Sequence, residues 1–369
     1  MNQLKKIVFL CLFSLCLAAH AFSIEFKYAK RIHISEIDGK YHVEINNPWP
    51  GTKEIFKYTL VPKEKAKKFV KNEIGYPAEK VVTQSTTFLP FLSSLGVLDA
   101  LVGVGTMKYI NTEEVVKRVK NGKIKEVGNA NSINLELLYF LRPDLVLTYG
   151  SESSQYNNYP ILNKANITNC LVAIYMEESL LGKAEWIKFF GLLFNKLELA
   201  EEHFNQIEKR YLHECSLVPK TKTKPTVFLN SPYGSVWYVP SGASWIAHAI
   251  KDAGGDYLWK DEMDHFGAMK INTEVVTFKA LNADFWLNAS HQNWKSYEDM
   301  SKTDERFKSF KAYKDKKVFL ATKRVNEFGG NDIYESGILN PDKIIRDIRL
   351  ILYEKKLDEN QLYYYRGLK

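Results

Sequence analysis

Apolar and polar positions across residues 197–217 follow a helical period. Leu197, Ala200, Phe204, Ile207, Tyr211 and Cys215 fall on one face, and Glu201, Glu202, Glu208, Lys209 and Arg210 fill the others. No Gly or Pro interrupts the stretch. At about 1.5 Å of rise per residue it is one amphipathic helix roughly 30 Å long, the width of a small domain, so it can act as a strut. Related text lies on both sides of it: residues 133–147 read INLELLYFLRPDLVL and residues 271–287 read INTEVVTFKALNADFWL. Both run Ile-Asn-x-Glu, helix, Asp, strand. Pro143 stops the first helix at the preceding residue, and Asn282-Ala283-Asp284 takes the corresponding turn in the second. Two copies are too few for a solenoid, so they are equivalent elements of two lobes.

Elsewhere the period changes. Residues 31–37 and 41–45 alternate as strands around Asp38-Gly39, a hairpin signal, and a further strand over 53–61 follows Pro50-Gly51. From Lys80 the pattern becomes strand, helix, strand: KVVTQS, FLPFLSSLGVLDA, LVGVGT. Beyond the strut, PTVFLN opens a second such series at Pro225, and KVFLAT from Lys317 supplies its last strand. The expected class is α/β: two α/β lobes with mostly parallel sheets joined by one long interlobe helix, plus a small N-terminal antiparallel hairpin. The expected divisions are 1–21 for an export signal, 22–79 for a β appendage, 80–176 for the first lobe, 177–222 for the interlobe helices and 223–369 for the second lobe.

Composition adds a compartment. Residues 1–21 carry Lys5 and Lys6, an apolar run over 7–17, and Ala19-His20-Ala21, the form of a cleaved secretory signal. The run is short of the roughly 18 to 20 residues needed to cross a bilayer. Cys11 and Cys16 each follow a leucine rather than the small residue a lipoprotein signal requires, so a soluble exported product is expected. That product keeps Cys170 and Cys215, which either pair or remain as two free thiols. Formal charge is +8, or +6 without Lys5 and Lys6, and it is spread along the chain. The lysine runs lack an aromatic-interleaved or other nucleic-acid motif, so no nucleic-acid partner is expected.

The ordered series Val81-Val82-Thr83-Gln84-Ser85, Leu95-Gly96, Val102-Gly103-Val104, Val127-Gly128, Asn134-Leu135-Glu136 and 141–147, with Ala253-Gly254-Gly255 in the second lobe, resembles the periplasmic substrate-binding proteins of ABC importers for iron-siderophores, haem and cobalamin. The resemblance spans about residues 80–352. Its hairpin and aromatic tail, Leu362-Tyr363-Tyr364-Tyr365-Arg366, are similar to the longer Bacteroidetes-type branch. It implies a periplasmic monomer without a cofactor, holding a bulky metal chelate or corrinoid in a cleft between rigid lobes and delivering it to an ABC permease dimer. It also implies that Glu136 and Glu274, one per lobe, dock on that permease. Position alone leaves them equally readable as first-turn carboxylates that stabilise helix starts.

Ligands of open α/β sheets bind beyond the carboxyl ends of the strands. The candidates there are Thr86 and Thr87, the aromatics Tyr109, Tyr149, Tyr233, Trp237, Tyr238 and Trp294, and the cation Arg324, with Lys108 and Lys323 as weaker choices. Any one of the rings could equally belong to the core. Trp237 and Tyr238 are the expected second-lobe platform. His248, His265 and His291 share no metal-ligand spacing, so no metal centre is expected. No Gly-x-Ser-x-Gly elbow, phosphate loop or His-Glu-x-x-His occurs, which points away from an enzyme, although a hydrolase or chelatase on the same layout stays open.

Overall fold

The computed structural model describes residues 22–67, 70–129, 132–264, 266–289 and 294–369. The expected signal segment, His265, His291 and most of the expected 290–294 loop lie outside the described residues. The strut is a helix over Leu197–Ser216 with Ala200, Phe204, Ile207 and Tyr211 buried. It lies against the helix Ile187–Leu193 at close range, since a Cβ on Gly191 would come within 2.5 Å of the Ala200 methyl. Its polar groups then tie it to lobe 2: Tyr211 donates to Asp252 at 2.6 Å, and Glu214 pairs with Arg349 at 2.7 Å.

Each lobe carries a five-stranded sheet. The first runs, in spatial order, Asn169–Leu171, Leu145–Thr148, Val81–Thr83, Leu101–Val104, Lys125–Glu126, and every pair is parallel. The second runs Asp256–Tyr257, Thr226–Leu229, Phe285–Leu287, Val318–Leu320, Arg366–Gly367, with only the last pair antiparallel. The inner strands are short, mainly apolar and buried along their length, as in LVLT, FWL and VFL, because both faces of such a sheet are covered. The repeated Asp has the same task in both lobes. Asp144 accepts the backbone N–H groups of Glu79 and Lys80 and pairs with Lys63, while Asp284 accepts from the Thr226 N–H and hydroxyl and pairs with Lys311. Each carboxylate thereby pins the start of the neighbouring strand, and these bonds hold both below the usual carboxylate range although burial opposes the shift.

The N-terminal hairpin, Ile32–Ile37 and Lys40–Asn46, turns at Asp38-Gly39 with φ of 52° and 70°, as a two-residue hairpin requires. It belongs to a larger sheet than expected, in which Phe22–Ile24 and Ile55–Pro62 flank it and Glu73–Tyr76 adds a parallel edge. Those two end strands are three and four residues long, too short for alternation to reveal them. The sheet is continuous with the rest of the core through Ile34, Val43, Ile45, Tyr58 and Leu60, and the Tyr58 hydroxyl accepts the Leu171 N–H at the edge of the lobe 1 sheet. A second attachment is polar. Glu185, wholly buried, accepts the backbone N–H groups of Lys27, Tyr28 and Ala29, and Glu177 accepts those of Lys30 and Arg31 and the Trp186 indole N–H. Five successive amides thus rest on two carboxylates of the interlobe connection. Cys170 and Cys215 are both free thiols, so the bridge is not made.

Candidate ligand-binding site

A cavity of about 300 Å³ lies where the two lobes and the interlobe connection meet. Lobe 1 contributes Thr87 and Tyr175, the connecting helix Leu180–Glu185 contributes Lys183, and lobe 2 contributes Trp245, Ile333 and Tyr334. Local sequence explains each placement. Ser85 caps the turn Thr86–Phe88 by accepting the Thr87 N–H and bonds the Thr87 hydroxyl at 2.7 Å. Ser244 caps the helix Trp245–Asp252, which sets Trp245 as its first residue. Asn331 caps the turn Asp332–Tyr334 and brings Tyr334 edge-on to Trp245, with ring centroids 6.5 Å apart.

The walls are aromatic and aliphatic with a single charge. Lys183 directs its ammonium at the carbonyl oxygens of Ile174 and Tyr175, at 3.1 and 3.2 Å, and burial lowers its pKa to about 8. The Tyr175 phenol donates to the Gly150 carbonyl, and burial pushes its pKa up. On the other side of the Thr86–Phe88 turn a second cavity, of about 260 Å³, opens over the carboxyl ends of the lobe 1 strands. Thr86, Tyr109 and Tyr149 line it with Gln84, whose side chain accepts from the Thr148 hydroxyl. A larger depression, about 670 Å³, is elsewhere: it lies on lobe 2 and the segment 221–224 and is bordered by Lys222, Lys224, Lys251 and Lys260 with Asp256 and Asp261, with no wall from lobe 1. Its charged border comes from lobe 2 and the connection alone, so it is not a site that the two lobes share.

The lobes also touch directly. Glu335, 1% exposed, accepts the N–H groups of Asn111 and Thr112 at 2.9 and 2.7 Å and the Thr112 hydroxyl. Beside it the Asn326 amide donates to the carbonyls of Lys108 and Ile110. Gly330 sits where a Cβ would meet the Tyr109 carbonyl at 2.4 Å, so the two loops approach through backbone. One loop of lobe 2 is thus latched to one loop of lobe 1 next to the cavities.

Of the expected ligand residues, Thr86, Thr87, Tyr109 and Tyr149 line the two cavities. Trp237 does not form a platform. Its ring is fully buried among Phe228, Trp286, Phe307 and Phe310, with its N–H on the Leu229 carbonyl. Trp294 is likewise core, 3% exposed, packed on Trp286 and Phe307 and donating to Thr303. Tyr238 points from the opposite face of the same strand and is half-exposed. Tyr233, 77% exposed, sits on a hairpin whose Ser235 carbonyl accepts the Thr273 N–H, which places it at the start of the helix carrying Glu274 rather than in the cavity. Arg324 is committed within lobe 2: its Nε donates to Asp332 at 2.6 Å and its guanidinium lies 4.5 Å from the Tyr363 ring centroid. Lys323 donates to the carbonyls of Glu359 and Leu362, holding the C-terminal tail, and Lys108 lies over its own neighbour Tyr109. His248 bonds the Glu178 carbonyl, and no group of three metal-ligating side chains occurs among the described residues.

Glu136 and Glu274 stand in the first turns of the helices Leu135–Leu141 and Thr273–Ala280, capped by Asn134 and Asn272. Both side chains are exposed.

Two α/β lobes on a helical strut, with an apolar cavity between them and a latch beside it, define a bilobed binding protein. Comparison with known proteins gives the family: a model of the periplasmic binding protein family matches residues 81–325, and the chain belongs to that family. It is 26% identical over 370 residues to an uncharacterized lipoprotein of Methanocaldococcus jannaschii, covering 92% of this chain and 84% of that one. Among solved structures it is similar to a possible iron-binding periplasmic solute-binding protein from Staphylococcus epidermidis, with a TM-score of 0.58 and 19% identity over 75% of this chain and all of the other (100%). It is also similar to the periplasmic haem-binding protein HutB of Vibrio cholerae, with a TM-score of 0.57 and 12% identity over 74% and 98% of the two chains. At these identities the structures show the shared two-lobe fold. The N-terminal sheet precedes the matched residues. No helix among the described residues is long and apolar enough to cross a membrane.

Proposed function

We propose that this chain is an exported solute-binding protein that captures a metal chelate between its lobes and delivers it to an ABC permease. The observation that carries the reading is an aromatic cavity shared by both lobes: Thr87 and Tyr175 from one lobe, Trp245 and Tyr334 from the other, and Lys183 from the helix between them. Stacking rings suit the flat or apolar surface of a chelate, and a single ammonium already partly desolvated suits one anionic group on it. At about 300 Å³ the cavity is at the small end for ligand sites, so a ferric siderophore, haem or corrinoid would also use the adjoining cavity past Thr86. The names of the structural neighbours, an iron-binding and a haem-binding protein, point to the same ligand class.

Delivery would use Glu136 and Glu274, exposed, one per lobe, and held at fixed separation by the strut. The lipoprotein relative and the apolar run over 7–17 support export to the periplasmic side of the membrane. The test is a titration of ferric siderophores, haem and cobalamin followed by tryptophan fluorescence, in wild type, Trp245→Ala and Lys183→Met. One ligand should bind with a loss of tenfold or more in each variant. Because a ligand anion favours the charged lysine, wild-type affinity should fall as pH rises through about 8, and Lys183→Met should lack that dependence. Equal affinity in all three proteins would place the ligand elsewhere.

A further inference from the structure

The two Ile-Asn-x-Glu helices share one more position. Phe140 and Phe278 each follow the glutamate by four residues, so the repeat reads Asn-x-Glu-x-x-x-Phe in both lobes. These two rings are 77% and 85% exposed, among the most exposed large apolar side chains of the described residues. A single exposed phenylalanine needs no explanation. Two in the same register of equivalent helices do, because each lobe could have packed or replaced its ring independently. Residues four apart lie on one face of a helix, so each ring stands beside its carboxylate. Tyr139 and Val275, 55% and 56% exposed, widen the two apolar spots, and the Tyr139 hydroxyl is anchored on the Ala165 carbonyl. Neither phenylalanine stacks on another ring among the described residues.

We propose that Phe140 and Phe278 are the apolar anchors of a two-point docking surface, each entering a socket next to a cation on one half of a two-fold permease. This rests on the reading that Glu136 and Glu274 meet that permease. The charges select the occupant. A second copy of the chain would pair each patch with a like patch and set carboxylate against carboxylate. A partner presenting a cation beside an apolar socket, twice, satisfies both lobes at once. Rings fully desolvated at a docking site carry a large share of the affinity, whereas rim carboxylates chiefly set the approach and its salt dependence.

The test replaces Phe140 or Phe278 with p-benzoylphenylalanine in the full chain and irradiates it with membranes of its own cell. Both positions should cross-link to a transmembrane permease subunit. In parallel, Phe140→Ser/Phe278→Ser and Glu136→Gln/Glu274→Gln are compared for binding to the same importer reconstituted in nanodiscs, with thermal unfolding as the check on folding. The phenylalanine pair should lose at least tenfold in affinity for the importer with unfolding unchanged. Loss in the phenylalanine pair alone supports the anchors while removing the carboxylates from docking. Cross-links to a second copy or to lipid, cross-links from one position only, or a phenylalanine pair that binds within twofold of wild type would overturn the proposal.

Discussion

Glu185→Ala tests whether the N-terminal sheet is part of the two-lobe body or an attachment to it. The carboxylate is wholly buried and accepts the amides of Lys27, Tyr28 and Ala29 at 2.9, 2.7 and 2.8 Å, and Lys188 pairs with it at 2.8 Å. Truncation leaves three amides without an acceptor in a part-buried to buried segment, at about 1 to 3 kcal/mol each. Removing a buried charge also relieves its own desolvation, which offsets part of that sum. The expected loss is about 3 to 5 kcal/mol, a large share of the stability of an ordinary domain. Glu208→Ala is the control. It touches the same segment through Lys27, at 2.6 Å, and Tyr28, but the lysine is 58% exposed and solvent screens the pair, so a loss far smaller than that of Glu185→Ala is expected. Urea unfolding measures both, and hydrogen exchange reads the amides of residues 27–29 directly. A loss below about 1 kcal/mol in Glu185→Ala, with those amides still protected, would refute the reasoning that this carboxylate holds the sheet.

Trp237→Ala should cost about 3 to 5 kcal/mol of stability through the cavity it leaves, with chelate affinity unchanged once the protein is folded; calorimetry beside the ligand titration separates the two. Asp347 is raised from its ordinary 3.8 to about 6 by burial, against the amides of Tyr363, Tyr364 and Tyr365 that it accepts. The folded carboxyl therefore holds its proton more tightly than the unfolded one. Its contribution is complete below the unfolded value and lost as pH rises through about 6, worth about 3 kcal/mol, and Asp347→Asn should abolish that slope in urea unfolding between pH 4 and 7. If the slope survives in the variant, another group titrates there. Finally, the unbroken strut and the Glu335 latch predict little lobe movement, so a contraction of several ångströms in radius of gyration on ligand addition, by small-angle scattering, would count against them.

The strut, the lobe order and the duplicated helix starts were legible because each rests on local periodicity and capping. Asn134 and Asn272 cap their helices where the repeat places them, and the bonds of Asp144 and Asp284 explain why the repeat has Asp just before its strand. The cavity was only half legible. Strand alternation already forbids Trp237 and Tyr238 from facing the same way, and Val236–Pro240 buries the first and exposes the second. Tyr175 follows the strand Asn169–Leu171, and counting that strand end among the others would have brought it in. Trp245, Lys183 and Tyr334 come from helices and a turn, not strand ends, and only the packing of the lobes on the strut brings them together. The partner of Arg324 was not legible either, because a cation past a strand end looks free until Asp332 folds back on it eight residues later.

The place of the ligand is the decisive fact, and the metal of a chelate can report it without any mutation. Crystals grown with whichever ferric siderophore, haem or cobalamin binds in the titration would locate its metal by anomalous scattering. One peak is expected between the lobes, bounded by Thr87 and Tyr175 on one side and Trp245 and Tyr334 on the other. A peak in the lysine-walled hollow around Lys222 and Lys251, or on the outer face of either lobe, would contradict it.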